Sequence, residues 1–208
     1  RVIELTAQVE ESHVAGETGI AHTRWATHGV PCERNAHPHI SAGLAVVHNG
    51  IIENHESLRG RLKALGYQFT SDTDTEVVAH LIAHELKTAP DFLSAVRQAI
   101  AQLQGAYAIA VLRESDPSRL VVAREGAPLL LGLSDDACYA ASDASALVQV
   151  TRRMVYLDNG DCAELMRGSY RITRVNGMPV ERPESESQLS AEAIELGNYR
   201  HYMQKEIF

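Results

Sequence analysis

At 208 residues and with 45% hydrophobic side chains, the chain is long enough to bury the core of one large domain. Its net charge of −8, with Lys and Arg dispersed among the acids, argues against nucleic acid or an anionic membrane as a partner, and no apolar run reaches the length needed to span a bilayer. Cys32, Cys138 and Cys162 are odd in number and widely spaced, which fits neither a disulfide framework nor a CxxC metal knuckle and suits a reducing cytoplasm.

Val2, Leu5 and Val9 suit the end of an amphipathic helix, and Gly19 to His22 reads as a strand running into a polar loop that ends near Pro38. Leu44 to Val47 is a buried strand. Leu58, Leu62 and Leu65 recur at helical spacing up to Gly66, a residue suited to a helix C-terminal end. A second helix is predicted after Thr73, where Thr73-Asp74-Thr75-Glu76 has the form of a capping box and Val77, Val78, Leu81 and Ile82 supply the apolar stripe. A third follows Pro90, with Asp91 as its cap and Phe92, Val96, Ile100 and Leu103 on one face as far as Gly105.

Beyond Gly105 the pattern changes to short apolar or alternating runs between turn residues: 107–112, 120–123, 129–133, 138–141, 154–157, 162–165 and 170–175. Asn176-Gly177 marks a hairpin turn. Residues 181–192, rich in Glu, Ser and Pro, read as a solvated, mobile linker ahead of the tail from Asn198 to Phe208. A block of helices between groups of antiparallel strands, without a strand-helix-strand rhythm, gives the fold class α+β.

Several polar groups stand out, each with a structural explanation beside the chemical one. Arg24 suits a surface ion pair, but its guanidinium fork also matches a carboxylate in two parallel hydrogen bonds. Trp25, the only tryptophan, suits core packing. Asn49-Gly50 between two apolar pairs is the usual signal of a tight turn; the alternative is a pair of donors, amide and backbone N–H, aimed at a developing oxyanion. Asp74 complements the positive end of a helix dipole. His22, His28, His37, His39, His48 and His55 invite a zinc hypothesis that their spacing does not support, and they are expected instead to donate to backbone carbonyls and orient loops. Cys32 lies beside Glu33, a neighbour that raises a thiol pKa and weakens it as a nucleophile.

Taken together, His22-Thr23-Arg24-Trp25-Ala26-Thr27-His28-Gly29, Val46-Val47-His48-Asn49-Gly50-Ile51-Ile52 and Ser71-Asp72-Thr73-Asp74-Thr75-Glu76 resemble, in order, the glutaminase domain of the glutamine–fructose-6-phosphate amidotransferase (glucosamine-6-phosphate synthase) family. The resemblance implies the four-layer α/β/β/α sandwich of N-terminal-nucleophile hydrolases. It assigns the α-carboxylate of L-glutamine to Arg24, polar ligand contacts to Thr27 and His28, and the α-ammonium to Asp74, ahead of Asp72. Trp25 would close over the ligand on a mobile loop and help gate ammonia, while Asn49 and Gly50 would form the oxyanion hole. The family's nucleophile is an N-terminal cysteine whose own amine is the base. Ammonia then passes to a sugar-phosphate isomerase domain that turns fructose 6-phosphate into glucosamine 6-phosphate, and a homodimer forms through that domain. No cofactor is implied.

The departure is at the front, where Arg1 stands in place of the cysteine and the family's first strand and following helix have no counterpart. The expected organisation is therefore a glutaminase domain over 1–180, incomplete at its N-terminus, and a linker and connector over 181–208 toward the isomerase domain. The alternative is a catalytically silent glutamine-binding or scaffolding module.

Overall fold

The computed structural model describes residues 7, 9–12, 16–23 and 29–189. Eleven strands and three longer helices follow one another in it. β1 (His39–Ser41) and β2 (Leu44–Ile52) come first, then α1 (His55–Ala64), α2 (Asp74–Glu85) and α3 (Phe92–Ile100). β3 (Gly105–Arg113), β4 (Asp116–Glu125), β5 (Leu130–Leu133), β6 (Cys138–Ala141) and β7 (Arg153–Tyr156) follow. The remaining strands are β8 (Asp161–Met166), β9 (Ser169–Arg174), β10 (Pro179–Val180) and β11 (Glu184–Glu186). They build a seven-stranded sheet, ordered β1-β2-β3-β4-β8-β9-β10, and a four-stranded sheet, ordered β11-β7-β5-β6. Every strand pair is antiparallel, as the absence of a strand-helix-strand rhythm requires.

The period of two along each strand sorts side chains between two cores. On β3, Ile109 faces the helices while Ala108 faces the second sheet; Val121 and Val122 on β4, and Cys162 and Ala163 on β8, divide the same way. The helical core joins Leu44, Val46 and Ile52 to Leu62, Leu81 and Val96, all almost fully buried. The inter-sheet core joins Val122 and Leu165 to Leu131 and Val155. A third cluster, Leu130, Leu147, Val148 and Met154, covers the far face of the four-stranded sheet beneath the short 3-10 turn Ala144–Ala146. Helices, sheet, sheet and that outer cover make the four layers.

The helix ends form largely as their sequences require. Asp91 accepts the Ser94 N–H at 2.7 Å and caps α3. Thr73 accepts the Glu76 N–H at the start of α2, but the reciprocal half of the box is absent, because the Glu76 carboxylate turns to the N–H and hydroxyl groups of Thr70 and Ser71. The Asn176-Gly177 turn closes the β9–β10 hairpin, with the Arg174 N–H donating to the Met178 carbonyl at 2.8 Å.

Three expectations need correction. Residues 19–23 carry no strand, since no ladder partner lies beside them among the described residues, and β1 lies instead beyond the polar loop, at His39–Ser41. Leu65 belongs to the C-cap of α1 and is exposed rather than part of the apolar face. The stretch expected to be a mobile linker is held to the body as far as it is described: β11 pairs with β7, and Arg182 forks onto the fully buried Asp161 at 2.7 and 2.9 Å. Alternating charge and serine gave no sign of this strand, which is exposed along its length and is held by backbone pairing to β7 and by the Arg153–Glu184 ion pair. Of the helix end read from Val2, Leu5 and Val9, Val9 is helical and exposed, while Val2, Leu5 and the tail from Asn198 to Phe208 lie outside the described residues.

Candidate active site

Asn49 and Gly50 are not a turn. They sit inside β2, opposite Ala108 and Tyr107, in a pairing with β3 that runs unbroken from Leu44 to Ile52. The apolar pairs on either side belong to one nine-residue strand, and the long ladder overrides the local turn signal. Glycine is nevertheless required: φ at Gly50 is 116°, and a Cβ there would run into the Ala106 carbonyl oxygen of β3. A positive φ inside a strand is a backbone distortion of the kind that collects at functional sites.

Strand alternation places Asn49 on the same side as Val47, facing the second sheet, whereas Val46 and His48 face α2. That side opens into a cleft of about 1230 Å³ between the sheets, lined by Val47 and Asn49, by Ala108 and Ala110 of β3, by Ala140 of β6, and by the segment 17–23. At the cleft wall His22 Nε2–H donates to Asn49 Oδ1 at 2.6 Å. The amide oxygen is thereby engaged by the protein, and the Asn49 NH2 group is the part that can serve a ligand.

The first turn of α2 organises the site's floor. Thr73 Oγ1 shares a hydrogen bond with His39 of β1 at 2.9 Å. Asp74, buried to 3% exposure, accepts the Ile52 N–H on Oδ2 at 2.9 Å. Thr75 Oγ1 meets His48 Nδ1 and His37 Nε2, both at 3.0 Å. Burial opposes ionisation of Glu76, but the donors of Thr70 and Ser71 outweigh it and hold its carboxyl below the usual carboxylate range. Residues 73 to 76 thus fix β1, β2, His37 and the stretch Thr70–Ser71 against the helix. The histidines expected to bind backbone carbonyls mostly bind hydroxyls or the Asn49 amide; His55 Nδ1–H, to the Ile52 carbonyl at 2.7 Å, follows the expectation.

Arg24, Trp25, Thr27 and His28, expected on the binding loop, lie outside the described residues. Its return is described. Gly29, at φ 75°, leaves no room for a Cβ against Asn35, a fully buried residue whose amide donates to the Val30 carbonyl at 3.0 Å and accepts the Asp72 N–H at 3.0 Å. Asp72 in turn pairs with Arg34 at 2.8 Å in an exposed bridge. Of the two candidate acids, Asp72 is therefore spent on the loop's return and Asp74 is the one buried beside β2. Asn35 was not predicted as a contributor, since an Asn within a polar loop carries no periodic signal and only its burial reveals it; His22, expected to orient a loop through a backbone carbonyl, meets the Asn49 amide instead. Cys32 is exposed, ahead of the 3-10 turn Glu33–Asn35, and does not line the cleft. Among the described residues no group of three or more His, Cys, Asp or Glu side chains could hold a metal ion, and no helix is long and apolar enough to cross a membrane.

The family model described as "glutamine amidotransferase domain" matches residues 22–149, more than half of the chain. The chain belongs to the glutamine amidotransferase domain family. The matched region begins at His22 and includes Asn49, Gly50 and Asp74. Among curated relatives of this amidotransferase domain, the glutamine–fructose-6-phosphate aminotransferase [isomerizing] of Acidithiobacillus ferridurans is 58% identical over 208 residues, all of this chain and 34% of that protein. The protein of the same name from Vibrio cholerae serotype O1 is 56% identical over the same length, again 34% of its own. The amidotransferase chain thus spans about a third of the length of the curated relatives it matches. Among solved structures, the glutamine phosphoribosylpyrophosphate (PRPP) amidotransferase from B. subtilis, complexed with ADP and GMP, superposes with a TM-score of 0.64 at 27% identity, over 74% of this chain and 34% of that one. The α+β sandwich of antiparallel sheets and helices is the N-terminal-nucleophile hydrolase type of this amidotransferase family.

Proposed function

We propose that this domain hydrolyses L-glutamine and delivers the ammonia to a sugar-phosphate isomerase domain, for conversion of fructose 6-phosphate to glucosamine 6-phosphate. The observation that carries the reading is Asn49-Gly50 held in mid-strand at a cleft, with the Asn49 amide oxygen engaged by His22 and a backbone conformation at Gly50 that no other residue fits. The near-complete alignment with aminotransferases of about three times this length supports the second domain. A homodimer through that domain, and the reducing cytoplasm that three free cysteines suit, belong to the same reading.

The chemistry follows from charge. Attack on the side-chain amide of glutamine moves an electron pair onto its carbonyl oxygen, and donors preset toward that oxygen lower the barrier most. The Asn49 NH2 and the Gly50 N–H are those donors. The attacking thiolate is the family's N-terminal cysteine; ammonia leaves, water cleaves the glutamyl thioester, and glutamate is released. Arg24 holds the α-carboxylate and Asp74 the α-ammonium, with Thr27 and His28 as further polar contacts and Trp25 closing over the ligand. Asp74 supports this role by being buried at the end of the strand that carries Asn49.

Calorimetric titration of L-glutamine into the full-length protein tests the recognition step. Arg24→Ala is expected to abolish detectable binding; unchanged affinity would remove the main assignment. Binding in the parent protein without glutamate release would favour a silent glutamine-binding module instead.

A further inference from the structure

We infer that His22 is a positioning residue for Asn49: it sets which face of the Asn49 amide meets the reacting carbonyl. The inference rests on the proposed oxyanion role of Asn49. An asparagine amide has nearly the same shape after a half-turn about its last torsion, but the turn exchanges a double donor for an acceptor. One orientation offers Nδ2–H to the developing oxyanion, and the other offers Oδ1, which repels it. Something other than shape must choose.

His22 makes the choice. Its Nε2 lies 2.6 Å from Asn49 Oδ1, and a carbonyl oxygen can only accept, so Nε2 carries the proton. The other ring nitrogen, Nδ1, is buried and meets no hydrogen-bond partner among the described residues, so the ring's hydrogen bond runs through Nε2. Flipping Asn49 would set NH2 against N–H and lose the bond.

The imidazole is itself braced. Its ring centroid lies 4.1 Å from that of His37, with the planes tilted by 41°, and His37 Nε2 is bonded to Thr75 Oγ1 at 3.0 Å. Thr75 also meets His48, the residue before Asn49 in β2. The first turn of α2 therefore reaches Asn49 twice, through the strand backbone at His48 and through the tilted ring contact of His37 with His22. The oxyanion donor is thereby tied to the first turn of a helix.

Steady-state glutamate release by the full-length protein tests this, using His22→Ala, Asn49→Ala and the double variant. His22→Ala is expected to lower kcat by about tenfold to hundredfold with KM changed by less than about threefold, because a bond that orients a transition-state donor is lost while ground-state binding is kept. The double variant is expected to fall no further than Asn49→Ala, since His22 acts through Asn49. His22→Gln, which restores an N–H donor, is expected to recover most of the activity. If His22→Ala does not fold, His22→Gln and His22→Met, of similar volume with and without a donor, make the same comparison. Undiminished kcat in His22→Ala or His22→Met while Asn49→Ala is impaired, or a full additional loss in the double variant, would overturn the positioning role alone. Undiminished kcat in Asn49→Ala would overturn the oxyanion reading beneath it.

Discussion

Asp74 Oδ2 accepts the backbone N–H of Ile52 at 2.9 Å, tying the first turn of α2 to the end of the strand that carries Asn49. One carboxylate thereby has a structural duty, and the proposed function gives it a second, the α-ammonium of glutamine. Asp74→Asn separates them. The amide oxygen can still accept from Ile52, so the melting temperature is expected to shift by no more than a few degrees, whereas glutamine affinity is expected to fall by about 30-fold or more on loss of a buried charge partner. Equal affinity for the variant, measured by calorimetry, would leave Asp74 only its structural role.

Gly50 is a packing constraint as well as a candidate donor. Gly50→Ala places a methyl group against the Ala106 carbonyl oxygen in a backbone conformation that L-residues rarely adopt. The expected loss is about 3 kcal/mol of stability by denaturant titration, from strand displacement plus strain. A loss below ~1 kcal/mol would mean that β2 and β3 part easily there.

These two positions show what the sequence could and could not disclose. The helices and the strands of the second half were legible because their signals are periodic and local: Leu58 and Leu62, the capping residues Thr73 and Asp91, and the Asn176-Gly177 turn. Asn49-Gly50 carried the same turn signal and is a strand, because pairing with β3 is a long-range fact that no local dipeptide encodes. The site's supports were hidden for a related reason. Asn35 and His22 act through contacts to residues 72 and 49 far along the chain, and β11 is three exposed residues held by backbone pairing to β7.

The segment after β10 is expected to contribute to stability through one ion pair. Arg182 forks onto Asp161, which is fully buried, and also reaches Asp158 at 3.0 Å. Arg182→Met leaves Arg174, at 3.6 Å, as the one cation beside the Asp161 charge among the described residues, and is expected to cost about 3 kcal/mol. Urea titration of the variant reads this. An unchanged midpoint would show the pair to be dispensable.

Acid is expected to weaken the fold. Burial opposes the charge on Glu76 and Asp161, but the donors of Thr70 and Ser71 for one, and the Arg182 fork with the Asp158 N–H for the other, win and hold both below their ordinary values of 4.5 and 3.8. A carboxyl depressed in the folded state stabilises above its unfolded pKa and loses that contribution as pH falls through the folded one. His80 adds the same sign: burial lowers it from 6.5 despite the nearby Glu76, so the unfolded chain takes up its proton first as pH drops. Stability from urea titration is therefore expected to fall as pH drops through the unfolded His80 value of 6.5, and again below about 4.5 as the two carboxyls are protonated. Glu76→Gln should flatten the lower part of that slope, and a slope identical to the unsubstituted protein's would exclude Glu76 as a contributor.

The central claim is that Asn49 stabilises the oxyanion of glutamine hydrolysis, and steady-state glutamate release by the full-length Asn49→Ala variant tests it most directly. The account expects kcat lower by about 100-fold or more, with KM for L-glutamine little changed. Undiminished kcat, or a loss confined to KM, would contradict it.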